Sequence, residues 1–264
     1  MKMKNLLPKN VAKIIKNNSS GSAEILLELH EHLKREQKIF SIFPEMINLT
    51  KKKFSTFQNV QTYLDDMYKS LQKKKNLNSF FDYYDKLFQN NFSKLLFNAE
   101  KILKPYSSFL TLSNSSTVYK VLKELKKSNK KIKVYVAESR PVFEGRILAK
   151  KLAKSNIVVQ VITEAMISEF LKKSDAAIIG TDKILKCGDI INKTGSLSLA
   201  ILSKEFNKPL YVIADRSKFS KGNIFKQSEM SPWEIWRHHP KNISVKNFYF
   251  ERVDKKYLTR IISD

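Results

Sequence analysis

The sequence predicts an α/β fold in which a helical N-terminal domain, residues 1–104, is followed by a mostly parallel sheet domain, residues 105–264. Two observations support this prediction. Apolar residues recur at helical spacing as far as residue 104, and after Pro105 short apolar runs alternate with amphipathic segments. Apolar residues make up 42% of the chain, which is enough for a core in each part.

The N-terminal part is predicted to be helical, with breaks at the polar stretch 17–21 and at Pro44. Its aromatic residues cluster between Phe80 and Phe97. A helix packed on both sides accounts for this cluster, and a partner-binding face is the alternative. The predicted helices cover residues 10–16, 23–33, 57–75 and 80–103.

In the C-terminal part, strands are predicted to alternate with helices, which is the pattern of a doubly wound, Rossmann-like sheet. The predicted strands cover residues 108–112, 134–137, 158–162, 176–179 and 210–213. The predicted helices cover residues 117–127, 144–153, 167–172 and 196–205. A late strand at 245–250 and an apolar segment at 256–262 complete the pattern.

The chain carries a formal net charge of +24, which raises the question of nucleic-acid binding. The basic excess is spread over both halves of the chain. Only seven of the 49 basic residues are arginine, the side chain that suits bidentate phosphate contacts. We therefore expect only non-specific association with nucleic acid.

A single cysteine, Cys187, excludes an internal disulfide framework and fits a reducing compartment. No run of about 18 apolar residues is present, and the N-terminus lacks the features of a signal peptide, so we expect a cytoplasmic protein without a membrane span. The four histidines form two close pairs without the spacing of a metal site, and no GxGxxG or P-loop motif is present. Neither a metal nor a cofactor is predicted.

Glycine is scarce, with six residues where average usage of ~7% would give roughly 18. Such a sequence is expected to keep glycine where the backbone requires it. Most of the glycines lie beside polar segments that follow predicted strands, at the sheet edge where open α/β folds bind ligands. Ordinary turns are the alternative for each of them singly. The five that accompany candidate site segments are Gly21, Gly145, Gly180, Gly188 and Gly195.

The segment from Ser113 to Thr117 follows the first predicted strand and opens a helix. Ser115, Ser116 and the free backbone N–H groups there suit an anion such as phosphate. Plain N-capping of the helix is the alternative.

Five more polar residues are candidates: Asp182, Lys218 and Arg140 come after predicted strands, and Asn192 and Lys193 come before a predicted helix. Asp182 could act as a general acid or base or bind sugar hydroxyls, or it could cap a turn. Lys193 offers a point charge for phosphate beside Asn192, whose amide both donates and accepts. Lys218 is a second phosphate candidate, or else a solvated surface lysine. Arg140 could hold a phosphate or an internal carboxylate such as Glu138 or Glu144.

These segments together resemble the family of translation initiation factor 2B α/β/δ subunits, which also contains ribose-1,5-bisphosphate isomerase and methylthioribose-1-phosphate isomerase. The resemblance spans most of the chain, and it implies a helical domain on a Rossmann-like domain, with dimers formed through the latter. Its most specific pieces are Glu138-Ser-Arg-Pro with Gly145-Arg146, Gly180-Thr-Asp182, Gly188-Asp-Ile-Ile-Asn-Lys-Thr-Gly195-Ser, Asn247-Phe-Tyr-Phe-Glu and Ile261-Ile-Ser-Asp.

The resemblance also implies where catalysis would occur. The isomerases have a catalytic cysteine in a Thr-x-Cys-Asn pattern, and here Ser113 stands at that position. A serine hydroxyl needs a neighbouring base to become a nucleophile, and no histidine lies in these segments. Asp182 matches the isomerases' second catalytic group.

Two phosphate-binding motifs of the family also differ in this sequence. Its Arg-Gly-Ala reads Ser20-Gly21-Ser22 here, and its Arg-Pro pattern is aligned with Phe43-Pro44. Losing two arginines removes charge-assisted contacts worth roughly 1.5–3 kcal/mol each. The resemblance thus implies a pocket that is partly retained, through the residues Gly21, Ser22, Ser115, Ser116, Thr117, Asn192, Lys193 and Lys218.

We therefore expect a non-catalytic regulatory or assembly protein of the initiation factor 2B type, able to bind a sugar phosphate or a nucleotide. Its expected partners are a second copy of itself as a homodimer, related subunits, and initiation factor 2. The alternative is an enzyme, a sugar-phosphate aldose–ketose isomerase of the ribose-1,5-bisphosphate isomerase type, in which Asp182 moves the proton.

Overall fold

The computed structural model describes residues 9–36, 43–73, 77–128 and 131–264. Its N-terminal part is helical, as predicted. The helices are α1 (Lys9–Lys16), α2 (Ser22–Arg35), α3 (Phe43–Lys53), α4 (Gln58–Gln72) and α5 (Leu77–Leu103). Helix α3 was not predicted, and the break that Pro44 was expected to mark coincides with the start of this helix. Pro44 lies in the first turn of α3, where its missing N–H would have had no intrahelical partner.

The helical part has an aromatic core. His30 of α2 is buried against the rings of Phe81, Tyr84 and Phe88 on α5. Its Nε2 lies 2.9 Å from Oδ1 of Asp85, so this buried ring has a polar partner. The aromatic cluster predicted on this helix is therefore mostly core.

The C-terminal part is an α/β sandwich whose main sheet is parallel, as predicted. In the described part of the chain this sheet has six strands in the order β3-β2-β1-β4-β7-β9. These strands are β1 (Ser108–Leu112), β2 (Lys133–Ala137), β3 (Val158–Ile162), β4 (Ala176–Ile179), β7 (Leu210–Ile213) and β9 (Arg260–Ile262). The helices between them are α6 (Ser116–Ser128), α7 (Glu144–Lys154), α8 (Ile167–Lys172) and α9 (Ser196–Glu205).

The inner strands β1, β4 and β7 are buried along nearly their whole length, because helices cover both faces of the sheet. One face packs on α6 and α7 and also on the end of α5, through Leu95, Ala99 and Leu103. Helix α5 therefore contributes to two cores, since its first half packs inside the helical part.

A small antiparallel sheet was not predicted. It consists of β5 (Lys183–Ile184), β6 (Ile190–Lys193) and β8 (Phe250–Val253), in the order β5-β6-β8. The predicted strand at 245–250 is displaced, because pairing with β6 begins only at Phe250. The predicted segment 256–262 contains β9 of the main sheet. No helix among the described residues is long and apolar enough to cross a membrane.

Candidate functional site

The carboxyl ends of β1, β4 and β6 meet at one end of the α/β part, and a cavity of about 30 Å³ lies between them. Parallel neighbours end at the same edge of a sheet, so the loops that follow them converge. The cavity is lined by Gly21, Ser22, Ala23, Leu112, Ser113, Asn114, Ser115, Ser116, Thr117, Gly180, Thr181, Asp182, Asn192 and Lys218. The predicted residues Gly21, Ser22, Ser113, Ser115, Ser116, Thr117, Asp182, Asn192 and Lys218 are thus brought together.

Residues of the helical part cover this cavity. The side chain of Asn114 donates to the carbonyl oxygen of Ser19 at 3.1 Å. Lys151 bridges the two parts, 3.0 Å from Glu24 of α2. The backbone N–H of Gln58, at the start of α4, donates to the carbonyl oxygen of Asp182 at 3.1 Å. The N-terminus of α4 therefore lies beside the site.

Two of the glycines are required by close approaches across the cavity. A Cβ atom at Gly180 would lie 2.5 Å from Oγ of Ser115, and one at Gly21 would lie 2.9 Å from the carbonyl oxygen of Asn114. Both contacts are shorter than van der Waals distance, so a side chain at either position would force the walls apart. The prediction that scarce glycine marks backbone requirements is confirmed at these two positions.

The loop after β1 has a backbone conformation that is uncommon without glycine. Ser113 and, after β2, Ser139 both have positive φ angles, of 65° and 64°. The N–H of Ser113 donates to Oγ of Ser139 at 2.7 Å, and the N–H of Ser139 donates to Glu164 at 2.6 Å. These bonds hold a conformation that costs of order 1–3 kcal/mol, and such strain concentrates at functional sites.

Asp182 is partly buried in the wall of the cavity. Desolvation raises the pKa of its carboxyl group, and the nearby Lys218 ammonium and Ser22 act in the opposite direction. Lys218 is buried, and its Nζ donates to the carbonyl oxygen of Thr181 at 2.6 Å. A carboxyl with a raised pKa is suited to exchange a proton with a ligand.

Lys193 is placed differently from what the sequence suggested. Its buried Nζ lies 2.9 Å from Oε1 of Glu144 and 4.5 Å from the centroid of the Tyr249 ring. The contact with Glu144 is an ion pair by distance rather than an aligned hydrogen bond, and Oε2 of Glu144 has no hydrogen-bond partner in the described residues. Burial raises the pKa of Glu144, and Lys193 counteracts this. Lys193 does not line the cavity.

The two remaining candidate residues, Asn192 and Arg140, lie in different places. The amide of Asn192 lines the cavity and donates to Oγ of Ser196 at 2.8 Å. Arg140 is exposed and stacks on the ring of Phe143 at 4.7 Å, away from the cavity. The carboxylates expected to pair with Arg140 have other partners, because Arg146 holds Glu138 while Lys193 holds Glu144.

Asp182 and Lys218 are the ionisable side chains that line the cavity within the described residues. Cys187 lies elsewhere, with its Sγ 3.6 Å from Arg252. Among those residues, no group of three His, Cys, Asp or Glu side chains could hold a metal ion. Sequence reasoning missed the role of Gln58, because a backbone contact leaves no signal in side-chain pattern.

Residues 7–264 match the sequence model of the initiation factor 2 subunit family. A translation initiation factor eIF-2B subunit 2-like protein of Pyrococcus furiosus is 36% identical over 155 residues, which are 59% of this chain and 55% of that protein. Ribose 1,5-bisphosphate isomerase of Archaeoglobus fulgidus is 29% identical over 174 residues, 62% of this chain and 55% of the enzyme. The aligned region is thus about half the length of these relatives.

Solved structures share the fold over nearly the whole chain. The translation initiation factor eIF-2B of Pyrococcus horikoshii superposes with a TM-score of 0.75 at 24% identity, covering 97% of this chain and 96% of that one. A chain of the tetrameric eIF2B-beta2-delta2 complex from C. thermophilum gives a TM-score of 0.71 at 13% identity, covering 97% and 91%.

Proposed function

The chain belongs to the initiation factor 2 subunit family, and from this premise we propose that it is a non-catalytic regulatory or assembly subunit that acts in the cytoplasm. Its relatives include both initiation-factor-like proteins and isomerases, so membership alone leaves both functions open. The choice between them depends on the chemistry that the cavity offers.

One observation carries the proposal. Ser113 stands where the family resemblance places the isomerases' cysteine, and no His or Cys lines the cavity within the described residues. A serine hydroxyl is unreactive at neutral pH without a base, whereas a thiol is already ionised by a few per cent. The site thus offers the Asp182 carboxyl group and the Lys218 ammonium group, which donates to the carbonyl oxygen of Thr181, but no Cys and no Ser–His pair as a nucleophile.

The second candidate function is sugar-phosphate isomerisation. The position and the raised pKa of Asp182 favour it, because an aldose–ketose isomerase must move a proton between neighbouring carbons. In that case a water or Ser113 would replace the thiol.

Turnover of ribose 1,5-bisphosphate and methylthioribose 1-phosphate separates the two functions. We expect no turnover by the parent protein. The matched variants are Asp182→Asn, which removes the acid–base group, and Ser113→Cys, which tests whether a thiol alone restores chemistry. Turnover by the parent that disappears in Asp182→Asn would establish the isomerase and overturn the regulatory proposal.

Exposed apolar side chains support an assembly role. Trp233 is 66% exposed, and Trp236 lies exposed on the same segment, between β7 and β8. Contiguous apolar patches on a protein surface mark protein–protein contacts. We propose that this segment contributes to contacts with a second copy or with a related subunit.

Two measurements test the assembly role. Sedimentation of the parent should show a dimer or larger assembly, and Trp233→Ser/Trp236→Ser should shift it towards the monomer without lowering the melting temperature. In parallel, a pull-down with initiation factor 2 should retain the protein at low and at moderate salt. A purely monomeric parent that does not bind initiation factor 2 would contradict the proposal, and binding lost steeply with salt would indicate only its positive charge.

A further inference from the structure

A second and much larger cavity lies beside the first. It occupies about 570 Å³ between α5, α4 and the loop that follows β7. This volume falls in the range of small-molecule sites, ~300–1,000 Å³, whereas 30 Å³ holds only one or two water molecules. Ala23, Ser116 and Thr117 line both cavities, so the two are adjacent. We call the larger one the α5 cleft.

The walls of the α5 cleft are aromatic. Tyr83 is 59% exposed, so its ring is free to contact a ligand. Tyr84, Phe88 and Phe92 follow it along the same helix. Flat rings of this kind bind planar groups by stacking, which is worth ~1–3 kcal/mol for a nucleic-acid base.

The charged side chains that line the α5 cleft balance in number, with Asp66, Asp215 and Asp264 against Lys94, Lys120 and Arg216, so local partners decide where an anion would bind. Each of its carboxylates already has a donor, since Asp66 accepts from Tyr84, Asp215 from the N–H of Ser217, and Asp264 from the N–H of Arg216. Lys120 is different. Its Nζ lies 4.4 Å from the centroid of the Phe92 ring, and it has no carboxylate partner among the residues that the structure describes.

The start of α6 supplies neutral donors at the same end of the cleft. Thr117 is largely buried and lines both cavities. Ser116 is the first residue of this 13-residue helix, and Oγ of Ser115 accepts from the N–H of Val118 at 3.2 Å, so the N–H groups of Ser116 and Thr117 are left without an intrahelical acceptor. The Thr117 hydroxyl, these N–H groups and the Lys120 ammonium one turn further on together suit one anionic group.

We propose that the α5 cleft binds a small molecule with a planar aromatic ring and one anionic group. The ring lies against the aromatic wall that α5 provides, and the anion lies at Thr117 and Lys120. This inference rests on the proposed ligand-binding regulatory function and names its ligand class. A bare sugar phosphate has no group for the aromatic wall, and the small cavity has no room for it.

Calorimetric titrations with four probes test this inference on the full chain. Adenosine 5′-monophosphate and indole-3-acetate carry a ring with a phosphate or with a carboxylate, and at least one of them should bind with Kd below about 1 mM. Adenosine lacks the anion and ribose 5-phosphate lacks the ring, so each should bind at least tenfold more weakly. The first pair also distinguishes a phosphate from a carboxylate as the preferred anion.

Matched variants locate the binding. Tyr83→Ala and Lys120→Met should each weaken the binding of the preferred probe about tenfold or more. Phe97→Ala and Lys123→Met are the controls, because these residues are exposed on the same two helices outside the cleft and should leave affinity unchanged. Ribose 5-phosphate bound as tightly as adenosine 5′-monophosphate, no binding by either aromatic anion, or equal effects of cleft and control variants would each overturn the inference.

The experiments distinguish a failure of the α5 cleft inference from a failure of the proposed regulatory function. A protein that assembles and binds initiation factor 2 but none of the probes refutes the α5 cleft alone. A protein that isomerises sugar phosphates refutes the regulatory function, whatever the titrations show.

Discussion

Residues of the family motifs have different surroundings on the two sides of the small cavity. On one side, Ser115, Asp182 and Lys218 face the cavity. On the other side, Lys193 is buried between Glu144 and Tyr249 and does not reach the cavity. The carboxyl group of Asp182 faces the small cavity, while the charge of Lys193 is balanced by Glu144 inside the protein.

This difference teaches that a residue can keep its place in a motif and still have a structural partner. A buried ammonium needs a counter-charge, and Glu144 at the start of α7 provides one without any ligand. We therefore expect the buried Lys193–Glu144 pair to contribute more to stability than the groups that line the small cavity. The predictions that follow test this division, from the largest effect to the smallest.

Lys193→Met should lower the free energy of unfolding by about 3–5 kcal/mol at pH 7, because it leaves Glu144 buried without a counter-charge. Urea unfolding measures this loss. The double variant Lys193→Met/Glu144→Leu should recover most of it, since an apolar pair replaces the ion pair. A loss below about 1 kcal/mol in the single variant would show that the pair does not stabilise the site.

Gly180→Ala should cost about 1–3 kcal/mol, because its Cβ would lie 2.5 Å from Oγ of Ser115. Thermal unfolding measures the cost. Gly222→Ala is the matched control, since a Cβ there meets no atom within 4 Å and the change should be close to neutral. Equal melting temperatures for the two variants would contradict the close packing of the cavity wall.

Asp182→Asn should become more stable relative to the parent as pH rises. Desolvation raises the pKa of Asp182, so the folded parent binds this proton more tightly than the unfolded chain does. The parent therefore loses stability as pH rises from the ordinary Asp pKa of about 3.9 through the raised value, while the neutral Asn does not. Melting temperatures of both proteins between pH 4 and 7 measure the difference.

Asp189→Asn is the control with the opposite sign. Desolvation acts upward on the pKa of Asp189, but hydrogen bonds from the N–H of Lys255 and from Arg252 outweigh it and lower the pKa. This variant should lose stability relative to the parent as pH rises through the range in which the unfolded carboxyl ionises. The same slope in both variants would contradict the different environments of the two carboxylates.

Lys151→Met should have the smallest effect, below about 1 kcal/mol, although it also removes an ion pair. Lys151 and Glu24 are both partly exposed, so water screens their attraction. Unfolding in low and high salt checks this, because the parent and the variant should converge as salt rises. A loss as large as that of Lys193→Met would remove the distinction between buried and exposed pairs.

Most of the main sheet could be predicted from the sequence. Strands such as β4 and β7 are short apolar runs buried on both faces, and that burial requires the pattern that predicts them. The bounds of α8 and α9 coincide with the predicted ones because polar segments flank them. The small sheet escaped prediction, since β5 has two residues and β6 carries polar Asn192 and Lys193.

The sequence predicted which loops form the site, but it did not predict the directions in which their side chains point. Motif order placed Ser115 and Asp182 at one edge, because parallel strands end together, whereas Asn192 reaches the same cavity from β6 of the small antiparallel sheet. The side-chain direction of Lys193 depends on Glu144, which is almost fifty residues away in sequence, and only tertiary packing brings them together. Arg140 likewise points outward, and its guanidinium group packs on the ring of Phe143.

Helix α5 has a mechanical consequence. Its 27 residues span roughly 40 Å at 1.5 Å per residue, with one end in the helical core and the other against the parallel sheet. Because α5 packs in both cores, it cannot leave one core without disturbing the other. Heat or urea should therefore melt the whole chain in a single cooperative transition, with coincident far-ultraviolet and tryptophan signals.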